Sequence, residues 1–163
     1  MKTANTEDQK YRTTDMLRIH VEQDRISDEL DELREGMKRH AEQHVPWETY
    51  EPLTVVLRDE VNAFCGAALG ECGRGWLSVG VMWVQEDHRG NGYGRKLLEA
   101  IEALAVERGS RKACLDTFSY QAKPFYEKCG YTVFGSLDDY PPGHTRYFMC
   151  KTLTQPPADE NQP

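Results

Sequence analysis

Apolar positions along this chain recur with two different periods, and the changes from one period to the other mark out its elements. Residues 16–21 alternate apolar and polar (M-L-R-I-H-V), the two-residue period of a half-buried strand. Ile26, Leu30, Leu33 and Met37 then share one face of a helix. Ser27 with Asp28 and Glu29 supplies its cap and acidic first turn, and Pro46 ends it. Residues 53–57 and 63–69 read as strands joined across Arg58-Asp59-Glu60-Val61-Asn62, and a glycine-bearing turn over 70–75 leads into WLSVGVMWV at 76–84. That run is short, β-branched and aromatic, the composition of a buried strand. Leu97, Leu98, Ile101, Leu104 and Ala105 follow at helical spacing as far as Arg108, with Gly109 as the stop signal. A strand at 112–117, a brief helix at 122–128 stopped by Cys129-Gly130, and strands at 131–137 and 145–153 complete the pattern.

This order, β, α, three β, α, β, α, two β, predicts an α/β (α+β) fold. Consecutive hairpins give an antiparallel half, while the strand, helix and strand between 76 and 117 make a parallel pair. The expected architecture is a central mixed, mostly antiparallel sheet of about six to seven strands flanked by helices. At 163 residues the chain suits one domain with one core. We place it at 15–154, because residues 1–14 are polar and aperiodic and 155–163 are proline-rich and acidic, the composition of loose tails.

Charge and cysteine content narrow the function classes. The formal net charge is −7 and no run is dense in lysine or arginine, so a nucleic-acid face is not expected. Five cysteines, odd in number and without a C-x-x-C pair or metal-type spacing, read as thiols in a reducing compartment, and no metal is expected. The N-terminus lacks the apolar segment of a secretory signal and no apolar run approaches spanning length, which predicts a cytoplasmic protein that does not use a membrane.

The candidate chemistry lies between the apolar run and the amphipathic helix, in Arg89-Gly90-Asn91-Gly92-Tyr93-Gly94-Arg95. Glycines bring backbone close to a ligand, and the free N–H groups of a helix start carry partial positive charge toward it. With Arg89 and Arg95 nearby, the natural guest is a phosphate or pyrophosphate. Spacing decides among the phosphate loops. A dinucleotide fingerprint counted from Gly90 and Gly92 needs a third glycine where Arg95 stands, and no Gly-Lys-Ser/Thr ends the loop as a Walker sequence requires. Arg89-x-x-Gly92-x-Gly94 resembles instead the R/Q-x-x-G-x-G/A pyrophosphate loop of the GNAT superfamily of N-acetyltransferases. A second segment, Phe125-Tyr126-Glu127-Lys128-Cys129-Gly130-Tyr131, is similar to the F-Y-E-K-x-G-F/Y sequence that follows the fifth strand in the same superfamily. The resemblance spans residues 16–153 and is densest between Trp76 and Tyr131; its second half is also similar to a bacterial subgroup without an assigned substrate.

The resemblance implies a GNAT fold with a V-shaped splay between the fourth strand (76–84) and the fifth (112–117), and acetyl-coenzyme A as co-substrate. It implies that Val84 offers backbone groups to the pantetheine arm, and that Arg89, Gly90, Asn91, Gly92, Tyr93, Gly94 and Arg95 hold the pyrophosphate. Tyr126 matches a tyrosine beside the coenzyme sulfur that protonates the leaving thiolate, a role suited to a phenol that stays neutral at physiological pH. Ser119 stands where relatives often carry an asparagine contacting the coenzyme arm. Trp76–Val84 also lacks the carboxylate that several relatives use as base.

The implied reaction is direct: a neutral amine attacks the thioester carbonyl, an oxyanion forms, and coenzyme A departs. Asp116, Glu48 and His144 are the candidate bases, Asp116 first because it follows the apolar core of the fifth strand. Cys114 and Cys129 have no histidine beside them and read as packing residues, which argues against a covalent route. Trp47, Tyr50, Phe118 and Tyr120 are candidates for an acceptor wall or for core. The acceptor is expected to be the primary amine of a small molecule or peptide, with net acidity favouring polycationic ones. Self-association into a homodimer stays open, as does the rival function of a non-catalytic acyl-coenzyme A-binding regulatory module.

Overall fold

The computed structural model describes residues 29–153, so the strand expected at 16–21, the helix start at Ser27 and Asp28, and both tails lie outside the described residues. The chain divides into two compact units, Met1–Trp47 and Glu48–Pro163. In the first, helix α1 (Leu30–Glu42) places Asp31 and Glu32 in its first turn and Arg39 and His40 in its last, complementing the helix dipole at both ends. It stops before Pro46, as the proline dictates.

The second unit is built on a six-stranded sheet. Strands β1 (Glu51–Arg58), β2 (Phe64–Gly73) and β3 (Trp76–Val84) form an antiparallel meander. Helix α2 (Tyr93–Glu107) crosses over to β4 (Lys112–Phe118), α3 (Lys123–Lys128) follows, and β5 (Thr132–Leu137) and β6 (Arg146–Thr152) close the sheet in the order β1-β2-β3-β4-β6-β5. β3 and β4 make the parallel pair, as the intervening helix requires. Leu77 and Val79 of β3, Ala113 and Leu115 of β4 and Met149 of β6 pack under Leu97, Leu98, Ile101 and Ala105 of α2. This is the apolar face that the periodicity of both elements foretold. Among the described residues, no helix is long and apolar enough to cross a membrane.

Turns depart from the sequence reading at one place. The β2–β3 turn, expected over 70–75, is confined to Arg74 and Gly75, at φ 53° and 77°, the paired left-handed geometry that suits a two-residue hairpin. Gly70 lies inside β2 instead. A Cβ there would meet the carbonyl oxygen of Ser78 at 2.5 Å, so the close approach of β3 selects glycine.

The same place shapes the cleft. Leu69 pairs with Val81 and Gly70 with Val79, leaving Gly80 as an unpaired bulge residue. Pairing of β3 with β4 ends at Val79 opposite Leu115, while β3 stays on β2 as far as Val84. From the bulge onward, then, the two parallel strands part. The backbone edge of β3 that faced β4 loses its partner strand, which is the splay expected between the fourth and fifth strands of the sequence.

Candidate active site

The parting strands open onto two adjoining clefts of about 560 Å³ each, which share Met82, Arg89 and Ala122. The first is walled by Val84, the glycine loop, the start of α2 and Phe125 of α3. Gly92 caps α2 at φ 79°, a left-handed conformation that strains any residue with a Cβ. Cβ atoms placed on Gly90 or Gly92 would meet nothing within 4 Å, so the loop faces open space. The N–H groups of residues 90–95 have no hydrogen-bond partner among the described residues; bonding within the helix begins with Lys96 N–H to the Gly92 carbonyl. Six consecutive donors around an open hollow at a helix start fit a pyrophosphate.

Side chains of this loop mostly hold its shape. Arg89 Nε donates to the Val84 carbonyl at 2.9 Å, tying loop to strand end. Asn91 turns its amide back onto the His88 and Arg89 carbonyls. Arg95 donates to the Lys128 carbonyl at 3.1 Å, which caps α3 and fixes the helix bearing Tyr126. Gly94 lets that helix approach: its Cβ position lies 3.5 Å from the Phe125 ring.

The second cleft runs between the bulge (Val79, Gly80, Val81) and Asp116, Thr117, Gln121 and Tyr126. Tyr126 is 8% exposed, packed edge-on against Phe125 and Tyr131. Burial, and secondarily the neighbouring Cys129 and Asp116, push its phenol above the ordinary tyrosine value and so keep it protonated. No hydrogen bond from the described residues engages its hydroxyl, although no buried polar side-chain atom there is left unpartnered. The hydroxyl is therefore turned to the open cleft. Tyr131 has the opposite arrangement: its hydroxyl donates to Glu102 Oε1 at 2.9 Å, and burial beside that carboxylate raises it strongly. Lys151 Nζ binds the other Glu102 oxygen at 2.6 Å, so α2, the α3–β5 connection and β6 are pinned together under the site.

The expected site residues thus divide into those the fold brings together and those it does not. Val84, Arg89, Gly90, Gly92, Tyr93, Gly94 and Arg95 line one cleft; Tyr126 and Asp116 line the other. Ser119 lies outside both linings, its hydroxyl accepting from Thr145 N–H at 3.2 Å and contacting His144 Nδ1 at 3.3 Å. Glu48 accepts from Arg74 N–H at 2.7 Å, at the far end of β3. Four strand residues, 76–79, separate the turn at Arg74 from the bulge at Gly80, roughly 13 Å at ~3.3 Å per residue, and Glu48 lines a separate hollow with Arg74 rather than the cleft of Tyr126. Tyr50 lies at that same end, its ring beside Gly73, whereas Phe118 and Tyr120 stack at 5.3 Å beside Asp116.

Two residues of the site carry no signal in the sequence. Gln121 Oε1 accepts from Phe118 N–H at 3.0 Å and from Thr117 Oγ1 at 3.3 Å, and the side chain lines the second cleft. Arg146 binds Asp116 Oδ2 through Nε at 2.8 Å. Arg146 meets Asp116 through the β4–β6 register and Gln121 meets Thr117 and Phe118 through the turn after β4, and neither arrangement has a periodic signal. The half-buried thiols Cys114 and Cys129 are both pushed up by their partial burial and line neither cleft.

A family model of the acetyltransferase (GNAT) domain matches residues 51–133, from β1 into β5. The chain belongs to the GNAT acetyltransferase family. Blasticidin-S acetyltransferase of Streptomyces morookaense is 36% identical over 95 residues, 58% of this chain and 70% of that protein. An acetyltransferase of Agrobacterium fabrum is 37% identical over 99 residues, 61% of this chain and 72% of that one. The crystal structure of an acetyltransferase from Bacillus cereus superposes with a TM-score of 0.75 at 31% identity, covering 83% of this chain and 98% of the other. Membership in the GNAT family makes this chain an enzyme, an acetyltransferase whose mixed sheet opens where that fold does.

Proposed function

We propose that this acetyltransferase transfers the acetyl group of acetyl-coenzyme A directly to a primary amine of a small molecule or peptide. The observation that carries the reading is the protonated Tyr126 hydroxyl, turned into a cleft that adjoins six unpartnered N–H groups at a helix start. Residues 90–95 hold the pyrophosphate, and the unpaired edge of β3 past the bulge takes the coenzyme arm through backbone groups near Val84. Gln121 supports that arm in place of Ser119. Backbone N–H groups beyond Gly80 face the acetyl oxygen as it gains charge. As the amine nitrogen bonds to the acetyl carbon and the carbon–sulfur bond breaks, Tyr126 gives its proton to the departing sulfur, the nitrogen sheds its surplus proton to solvent, and Tyr126 recovers one from solvent. Asp116 keeps Oδ1 free to accept a hydrogen bond from the incoming amine, which arrives neutral; holding both reactants in one cleft supplies much of the acceleration. With no cysteine in either cleft, the reading needs no acetyl-enzyme.

Release of free thiol from acetyl-coenzyme A, measured with a panel of amines that includes blasticidin S, tests this reading. Acceptor-dependent release is expected. Tight coenzyme binding by calorimetry with no acceptor-dependent release from any amine would establish the regulatory module instead. A cytoplasmic, bacterial enzyme is consistent with the bacterial relatives.

A further inference from the structure

Beside the cleft, Arg146 is held in a way that leaves most of it unused. Its guanidinium carbon lies over three aromatic rings, at 5.6 Å from the centre of Phe118, 5.7 Å from Tyr140 and 5.2 Å from Phe148. Nε is committed to Asp116 Oδ2, and Asp116 itself lines the cleft. Aromatic faces hold a guanidinium in position without occupying its N–H groups. Apart from the Tyr140 hydroxyl within reach of one of them, the terminal nitrogens have no hydrogen-bond partner among the described residues. The side chain is 29% exposed, so this fork of donors is both fixed and accessible. Tyr120 stacks on Phe118, and His144 meets Tyr120 edge-on at 4.8 Å, extending the aromatic collar.

We propose that Arg146 binds a carboxylate of the acceptor, so that the substrate is an amine bearing an acid group, of the amino-acid class. The inference rests on the acetyl-transfer reading above and names the acceptor for it. A planar, pre-oriented guanidinium with free terminal donors matches a carboxylate bidentately, in partly desolvated surroundings that strengthen the match. Asp116 accepts from the neutral amine and Arg146 meets the acid, so the ion pair offers one partner to each end of such an acceptor. A polyamine offers nothing to Arg146 and is repelled by it. Local geometry therefore opposes the preference for polycations that the net charge of −7 suggests at long range.

The test uses matched pairs that differ by one carboxylate: L-tryptophan with tryptamine, L-lysine with cadaverine, and β-alanine with ethylamine. For each pair the ratio of kcat/KM values is measured in the wild type, in Arg146→Gln and in Arg146→Lys. Because both members are assayed on one preparation, partial unfolding of a variant cancels from the ratio, and so does the differing amine basicity when wild type and variant are compared. We expect the ratio for at least one pair to fall tenfold or more in Arg146→Gln, with Arg146→Lys between. A ratio equal in wild type and variant for every pair overturns the proposal and leaves acetyl transfer standing. Calorimetry of the same compounds on the coenzyme A-saturated protein separates the two readings. Carboxylate binding that depends on Arg146, without thiol release, supports the acid-binding site and sinks acetyl transfer. Equal binding of both pair members to wild type and Arg146→Gln sinks the acid-binding site.

Discussion

On one side of the clefts a single segment, residues 90–95, presents a row of backbone N–H groups, the donor side of the proposed reading; on the other, Asp116, Gln121 and Tyr126 line the cleft from β4, the turn after it and α3, with Arg146 of β6 bound to Asp116. The donor side is local and made of main chain, so its chemistry depends on conformation more than on side-chain identity. In the proposed reading the acceptor meets Asp116 and Arg146, side chains brought together across the sheet, so either can change the substrate without disturbing the donor, whereas Gln121 and Tyr126 act on the coenzyme. A family that keeps one donor and varies its acceptors needs this division, and it predicts which substitutions act on binding, on chemistry or on neither.

The largest effect belongs to Gly92→Val. The left-handed φ of 79° costs a β-branched residue about 1–2 kcal/mol, and its side chain would fill the hollow that the N–H groups surround. Coenzyme A affinity by calorimetry should fall at least ~100-fold, on the scale of losing several charge-assisted hydrogen bonds; a loss below ~10-fold would break the claim that main-chain geometry carries donor binding. Tyr126→Phe comes next and divides the two sides. Removing a general acid typically costs about 100-fold or more in turnover, while coenzyme affinity should stay within about threefold because the hydroxyl is not part of the loop. The pH profile adds a sign. Turnover needs the protonated phenol, and burial raises its pKa above the ordinary value near 10, so the alkaline limb owed to Tyr126 must lie above about pH 10. A limb below pH 9 that vanishes in Tyr126→Phe would remove it from the acid role.

The same division explains what the sequence disclosed. The loop is legible because glycines at 90 and 92, both left-handed, write its conformation directly into the sequence, and Gly94 writes the close approach of Phe125. Most element positions are equally legible from period-two and helical patterns, since α2, α3 and every strand of the second unit but β5 pack one face on a common core. The turn assigned to 70–75 misplaced Gly70, because a glycine required by close strand approach looks the same in sequence as one required by a turn. Arg146 and Gln121 could not be found. Their roles follow from opposing Phe118 to Arg146 in one register and from a turn that folds Gln121 back onto Thr117, and neither has a local periodicity. Glu48 stands where a helix ends before the next strand, a region expected from the resemblance to line the acceptor side, whereas its partner, Arg74, lies in the β2–β3 turn at the other end of β3 from the cleft.

Between the two sides runs the Tyr131–Glu102–Lys151 network, which joins the helix that begins at the donor loop to the strand that carries Arg146. Tyr131→Phe removes a buried hydrogen bond to a carboxylate and should lower stability by about 1.5–2 kcal/mol in denaturant unfolding, with coenzyme affinity little altered. The raised pKa of Tyr131 means the folded state holds its proton more tightly. Its contribution is therefore complete below about pH 10 and is lost as pH rises beyond it. The variant should lack that alkaline loss; an identical alkaline melting profile would show that the network does not couple the sides.

The smallest expected effect tests the comparison most strictly. Glu48→Gln removes a carboxylate but keeps an oxygen able to accept from Arg74 N–H, so the β2–β3 turn retains its 2.7 Å bond and only the charge disappears. If the acceptor side consists of the residues gathered around Asp116 and Tyr126, kcat should stay within about twofold, as for a surface change remote from the chemistry. A drop near ~100-fold, the size of losing a general base, would require Glu48 to reach the cleft across the length of β3. The acceptor side would then extend beyond the side chains that the splayed strands bring together.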